Sequence, residues 1–136
     1  MFTRKQPLHP ALRASDLAAT APIEELEALD ALATTIQVAA GEQIVRQDGF
    51  GRECFVVIDG EFTVRRGDTS ITVGPGSVIG ELALLTGKPR TASVVATTDS
   101  SVYVLTRSEF VTMLHSCPNI ARYVFDGAVR RATVAA

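Results

Sequence analysis

Between Thr34 and Thr106 the chain alternates short period-two stretches with glycine-centred breaks, and that rhythm restricts the fold more than any other feature. Strands are expected at 34–38, 43–46, 54–58, 62–66, 69–73, 91–96 and 102–106, with Val78-Ile79 as a shorter apolar run. Ala39-Ala40-Gly41-Glu42, Asp48-Gly49, Gly67-Asp68 and Gly74-Pro75-Gly76 separate them. Asp59-Gly60 suits a two-residue hairpin turn, because both of its central residues must tolerate positive φ, and predicts that 54–58 and 62–66 pair directly. Strands this short and this evenly spaced indicate a mainly β, α+β fold: an antiparallel eight-stranded β-roll of jelly-roll type with helices at both ends.

The flanks change period. Residues 15–33 read as an N-terminal helical segment, with Thr20 as a cap and Ile23, Leu26, Leu29 and Leu32 at helical spacing. Such a stripe more often packs a core than binds a partner. After the 34–106 roll, residues 107–133 read as C-terminal helices, one over 108–114 beyond a Thr106-Arg107 boundary and one over 118–131. The second opens on Pro118 and sets Ile120, Val124, Ala128 and Val129 on one side; Gly127 weakens its middle by roughly 1 kcal/mol relative to Ala. Residues 1–14, with two prolines and little periodicity, read as an arm that is loosely ordered or a short helix.

Composition excludes several functions. With 136 residues, 46% of them hydrophobic and 21% charged, this is one domain with enough apolar matter for a core. A formal net charge of −2 and no long Lys/Arg run give no pull toward nucleic acid. No apolar stretch nears the roughly 18 residues a membrane span needs, and no apolar segment follows the charged N-terminus, so a cytoplasmic protein is expected. Cys54 and Cys117 fit neither a metal pair nor a disulfide framework and are expected as small buried side chains. His9 and His115 form no metal-ligand spacing, and no nucleophile has an adjacent base, so no enzyme, metal or cofactor is expected. A DNA-binding regulator would need a helix-turn-helix after the last helix, where this sequence stops.

The chemistry concentrates in 80–92. Gly80 lets the backbone turn and lets a ligand approach; Glu81-Leu82-Ala83-Leu84-Leu85 favours helix, stopped by Gly87 and Pro89 after about a turn and a half. Exposed N–H groups around Leu82 and Ala83 would suit an anion. Arg90 follows Pro89 at the expected start of a strand, and its planar fork matches two phosphate oxygens, while Glu81 can only accept and suits a sugar hydroxyl. The ordinary alternative is an ion pair between Glu81 and Arg90 on a solvated loop.

Gly80-Glu81-Leu82-Ala83, a short variable stretch, then Pro89-Arg90-Thr91-Ala92 resembles the phosphate-binding cassette of cyclic nucleotide-binding domains, the family of catabolite activators and protein kinase A regulatory subunits. The resemblance covers roughly Leu12 to the C-terminus. It implies a cAMP- or cGMP-binding regulatory domain without a DNA-binding domain, acting through hinge and lid movement of the helices after the roll on a partner or fused effector. A homodimer through the helices is compatible with it. It further implies that Gly80, Leu82, Ala83 and Ala92 give backbone contacts, that Arg90 holds the phosphate and Glu81 the ribose 2′-hydroxyl, and that Thr91 reaches the phosphate or a guanine amino group. Val64 and Val73 would wall the base or serve simply as core. The last residues, Thr133-Val134-Ala135-Ala136, offer one hydroxyl where a lid would meet the base. The runner-up function is a β-roll interaction module without physiological nucleotide binding.

Overall fold

In the computed structural model, which describes the backbone of residues 7–135 and the side chains of residues 7–127, two four-stranded antiparallel sheets pack on each other. The first runs β1 (Thr34–Val38), β8 (Ser100–Thr106), β3 (Glu53–Asp59), β6 (Val78–Ile79). The second runs β2 (Gln43–Val45), β7 (Ser93–Ala96), β4 (Phe62–Arg66), β5 (Thr69–Val73). Alternation in β3 sends Phe55 and Val57 toward the second sheet, where they meet Phe62, Val94 and Ala96, and sends Cys54, Val56 and Ile58 the other way. In β8, Val102 and Val104 join the first group, Tyr103 and Leu105 the second. Both strands are therefore buried on both faces, which is why they read as unbroken apolar runs.

Helices cover the first sheet. They are α1 (Pro10–Arg13), α2 (Asp16–Thr20), α3 (Ile23–Leu32), α5 (Arg107–Ser116) and α6 (Pro118–Ala135), and Leu12, Leu17, Leu26, Leu29, Phe110, Met113, Ile120 and Val124 form their shared core. Residues 7–14 are thus docked rather than loose: Leu12 is fully buried, and the His9 side chain accepts from the Ala11 backbone N–H to start α1. Residues 1–6 of the expected arm lie outside the described residues, as do the side chains of Ala128, Val129 and 133–136. Thr20 ends α2 instead of capping the next helix, and its hydroxyl bonds back to Asp16 O at 2.8 Å. Thr106 and Glu109 form a reciprocal capping box that starts α5.

The expected hairpin at Asp59-Gly60 is corrected. β3 and β4 lie in different sheets, so the dipeptide carries the chain across the roll. Gly60, at φ +95°, rests on Ser100, and a Cβ there would overlap its Cα and side chain. The two-residue hairpin is instead Gly67-Asp68, between the paired residues Arg66 and Thr69. β7 starts at Ser93 rather than Thr91, and β2 ends at Val45.

Candidate functional site

Gly80 takes the left-handed conformation, φ 85°, at the start of α4 (Glu81–Thr86), and Gly87, also left-handed, ends it. This six-residue helix follows directly on edge strand β6 and packs against β3 and α6. Leu84 supplies the apolar contact, lying in the core shared with Ile120 and Val124. Glu81, the first helical residue, is 1% exposed.

Arg90 is 8% exposed and sits in a loop rather than at the start of a strand. Its backbone N–H donates to Gly49 O at 2.7 Å and its carbonyl accepts from Asp48 N at 2.9 Å, so the residue is fixed against the β2–β3 loop. The guanidinium donates from Nη1 to Gly80 O at 2.9 Å and from Nη2 to Glu53 O at 2.6 Å. It therefore bridges the mouth of α4 and the first residue of β3. Burial pulls its pKa below the usual value, with Cys54 and Glu53 working against that pull, yet a guanidinium stays charged. Glu81 and Arg90 are both buried, so a solvated surface pair is not the arrangement found. A buried cation held by neutral carbonyls retains attraction for an anion.

The sequence passed over Gly51. A Cβ built on it would overlap the Arg90 guanidinium, as would one on Gly80, so two glycines flank the charge and permit its position. A glycine in a polar loop carries no periodicity, so nothing in the sequence marks it.

The other expected residues fall nearby in two groups. Leu82 and Ala92 are half-buried, Ala83 is buried and Thr91 exposed, all on α4 or the loop that follows Arg90. Val64 and Val73 are half-buried against the core between the sheets, so both contribute to packing. Val64 pairs with Ile71 across β4 and β5, and Ile71 is 57% exposed, leaving an uncovered apolar side chain at that end of the sheet. Among the described residues, one concavity of about 660 Å³ is lined by Gly51, Arg52, Glu53, Leu84 and Thr106–Ser108, and another by Pro7–Pro10, Arg13 and Ala14. The first shares Gly51 and Glu53 with the surroundings of Arg90. Among the described residues, no group of three or more His, Cys, Asp or Glu is placed to hold a metal. No helix there is long and apolar enough to cross a membrane.

The helix that borders α4 is clamped from elsewhere. Glu25 of α3, 9% exposed, accepts at Oε1 from the backbone N–H of Asn119 (2.9 Å) and Ile120 (3.0 Å), and at Oε2 from Asn119 Nδ2 (2.6 Å). It satisfies the first turn of α6 from another helix. Tyr103 of β8 donates to Asp30 of α3 at 2.7 Å, and Tyr123 of α6 donates to Gly76 O at 2.9 Å.

The model of the family described as "Cyclic nucleotide-binding domain" matches residues 35–117. A cAMP-dependent protein kinase regulatory subunit of Blastocladiella emersonii is 40% identical over 96 residues, 66% of this chain and 24% of that protein. A cGMP-dependent protein kinase of Caenorhabditis briggsae is 36% identical over 107 residues, 78% of this chain and 14% of that one. The chain thus spans about a quarter or less of the length of these curated relatives. The crystal structure of Thermus thermophilus catabolite activator protein aligns with a TM-score of 0.76 at 25% identity, covering 89% of this chain and 60% of that one.

Proposed function

The chain belongs to the cyclic nucleotide-binding domain family, and from that premise we propose that it is a non-enzymatic sensor of a 3′,5′-cyclic purine nucleotide, cAMP ahead of cGMP. The observation that carries this reading is Arg90: a cation 8% exposed, bonded to two carbonyl oxygens and set beside the N-terminus of α4. A cyclic phosphate brings the single negative charge such a group attracts. In this reading Gly80, Leu82, Ala83 and Ala92 contribute backbone contacts and Glu81 accepts the ribose 2′-hydroxyl. Thr91, exposed beside Arg90, offers its hydroxyl to the phosphate or to a guanine amino group, which admits cGMP as well. Val64 and Val73 line the base. cAMP is put first because regulatory subunits of cAMP-dependent kinases outnumber cGMP-dependent kinases among the similar curated relatives, at overlapping identities of 32–40% and 35–36%.

Occupancy requires movement. A carboxylate 1% exposed meets a sugar hydroxyl only if its neighbours give way, and α4 borders both β3 and α6. The output is a displacement of α5 and α6 acting on a partner or a fused effector, in the cytoplasm. Calorimetric titration with cAMP and cGMP side by side tests the proposal. Saturable one-site binding of either supports it; no heat from either at millimolar concentration overturns it and leaves a β-roll interaction module.

A further inference from the structure

Resting on that reading, we propose that Phe50 is a ligand-contact residue that folds over the bound phosphate and slows its release. The chain from 48 to 53 wraps Arg90. Asp48 N and Gly49 O bond its backbone, the backbone at Gly51 abuts its guanidinium, and Glu53 O accepts from Nη2. Phe50 is the one large apolar side chain on this wrap, and it is 79% exposed. Adjacent Cα atoms are about 3.8 Å apart, so its ring is carried one residue from the group that meets the cation.

The placement is held and the ring is free. Asp48, with φ 68°, and the two backbone bonds to Arg90 fix the base of the loop, whereas Gly49 and Gly51 on either side of Phe50 place no side chain in its way. An exposed phenyl group loses contact with water when it closes over the sugar–phosphate ring of a ligand. The same closure excludes water from the pair between Arg90 and the phosphate, which strengthens that pair because the local dielectric falls. Phe50 therefore acts on the lifetime of the complex, without reading base or 2′-hydroxyl.

Two variants test this with the full chain. For Phe50→Ala, measured by displacement of a fluorescent cAMP analogue in stopped flow, dissociation is expected to quicken about five- to tenfold, with the cAMP/cGMP ratio kept. Ile23→Ala, which removes a side chain 44% exposed on α3, is expected to leave that rate unchanged. The chain contains no tryptophan, so emission from Phe50→Trp reports position 50 alone and is expected to shift to the blue on saturation with cAMP. Binding by the wild type with an unchanged dissociation rate in Phe50→Ala and no spectral shift in Phe50→Trp overturns this inference alone, and marks the ring as a contact for something other than nucleotide. Failure of the wild type to bind either nucleotide overturns it together with the sensor reading.

Discussion

A guanidinium with little access to water and neutral oxygens for company keeps its charge and gives up most of its hydration. Removing it from a ligand pair of this kind costs about 3–5 kcal/mol, so Arg90→Ala is expected to weaken cyclic nucleotide binding by about two orders of magnitude or more in calorimetry. Arg90→Lys is expected to fail substantially too, since a point charge cannot bridge Gly80 O and Glu53 O while also meeting a phosphate. Gly51→Ala separates fold from site. Its added methyl collides with the flexible end of Arg90, so affinity is expected to drop about tenfold or more while the melting temperature stays within a few degrees. Cys54, next along β3, has its thiol pushed up from 9.0 to about 12, first by burial and then by Glu53, with Arg90 opposing. A group whose folded pKa is raised stabilises fully below the unfolded value, and that stability is lost as pH rises toward the folded one. The loss of unfolding free energy between about pH 9 and about pH 11 is therefore expected to be smaller in Cys54→Ala than in the wild type, read from urea curves at each pH.

Among the elements, the joint between α3 and α6 bears most directly on movement. Glu25→Ala leaves the Asn119 and Ile120 N–H groups without the carboxylate that caps them, and is expected to cost about 1.5–3 kcal/mol in denaturant unfolding. In the sequence, Glu25 is one of several acids near a helix start, and nothing local reveals that its carboxylate serves a helix far along the chain. Strand existence was legible because alternation is local: β1, β4 and β5 have the expected limits. Strand partnership was not. Asp59-Gly60 has hairpin chemistry, yet Ser100 lies against Gly60 and β4 pairs with β7 and β5, so tertiary contact overrode a dipeptide preference. The cassette residues were legible as a motif, and Glu81 is a buried residue of the expected short helix, whereas Arg90, expected at the start of a strand, is buried in the loop before β7. Gly51 and Phe50 were not, because closeness to Arg90 comes from the path of a loop.

For the molecule as a whole, the helices pack on β1, β3 and β8, while the second sheet turns residues such as Thr63, Ser70 and Thr72 outward. Ligand at 100 times its dissociation constant is expected to add about 2.7 kcal/mol to folding stability, seen as a rise in melting temperature that Arg90→Ala does not show. Hydrogen exchange on the same samples is expected to change in α4 and α6 and to stay constant in β1, which holds none of the proposed ligand contacts. The Gly67-Asp68 tip belongs to the second sheet and closes its turn in two residues. A dye or a surface tether attached there would hold the protein by the sheet opposite its helices, so a device built on it could be immobilised in one orientation while α5 and α6 kept their freedom.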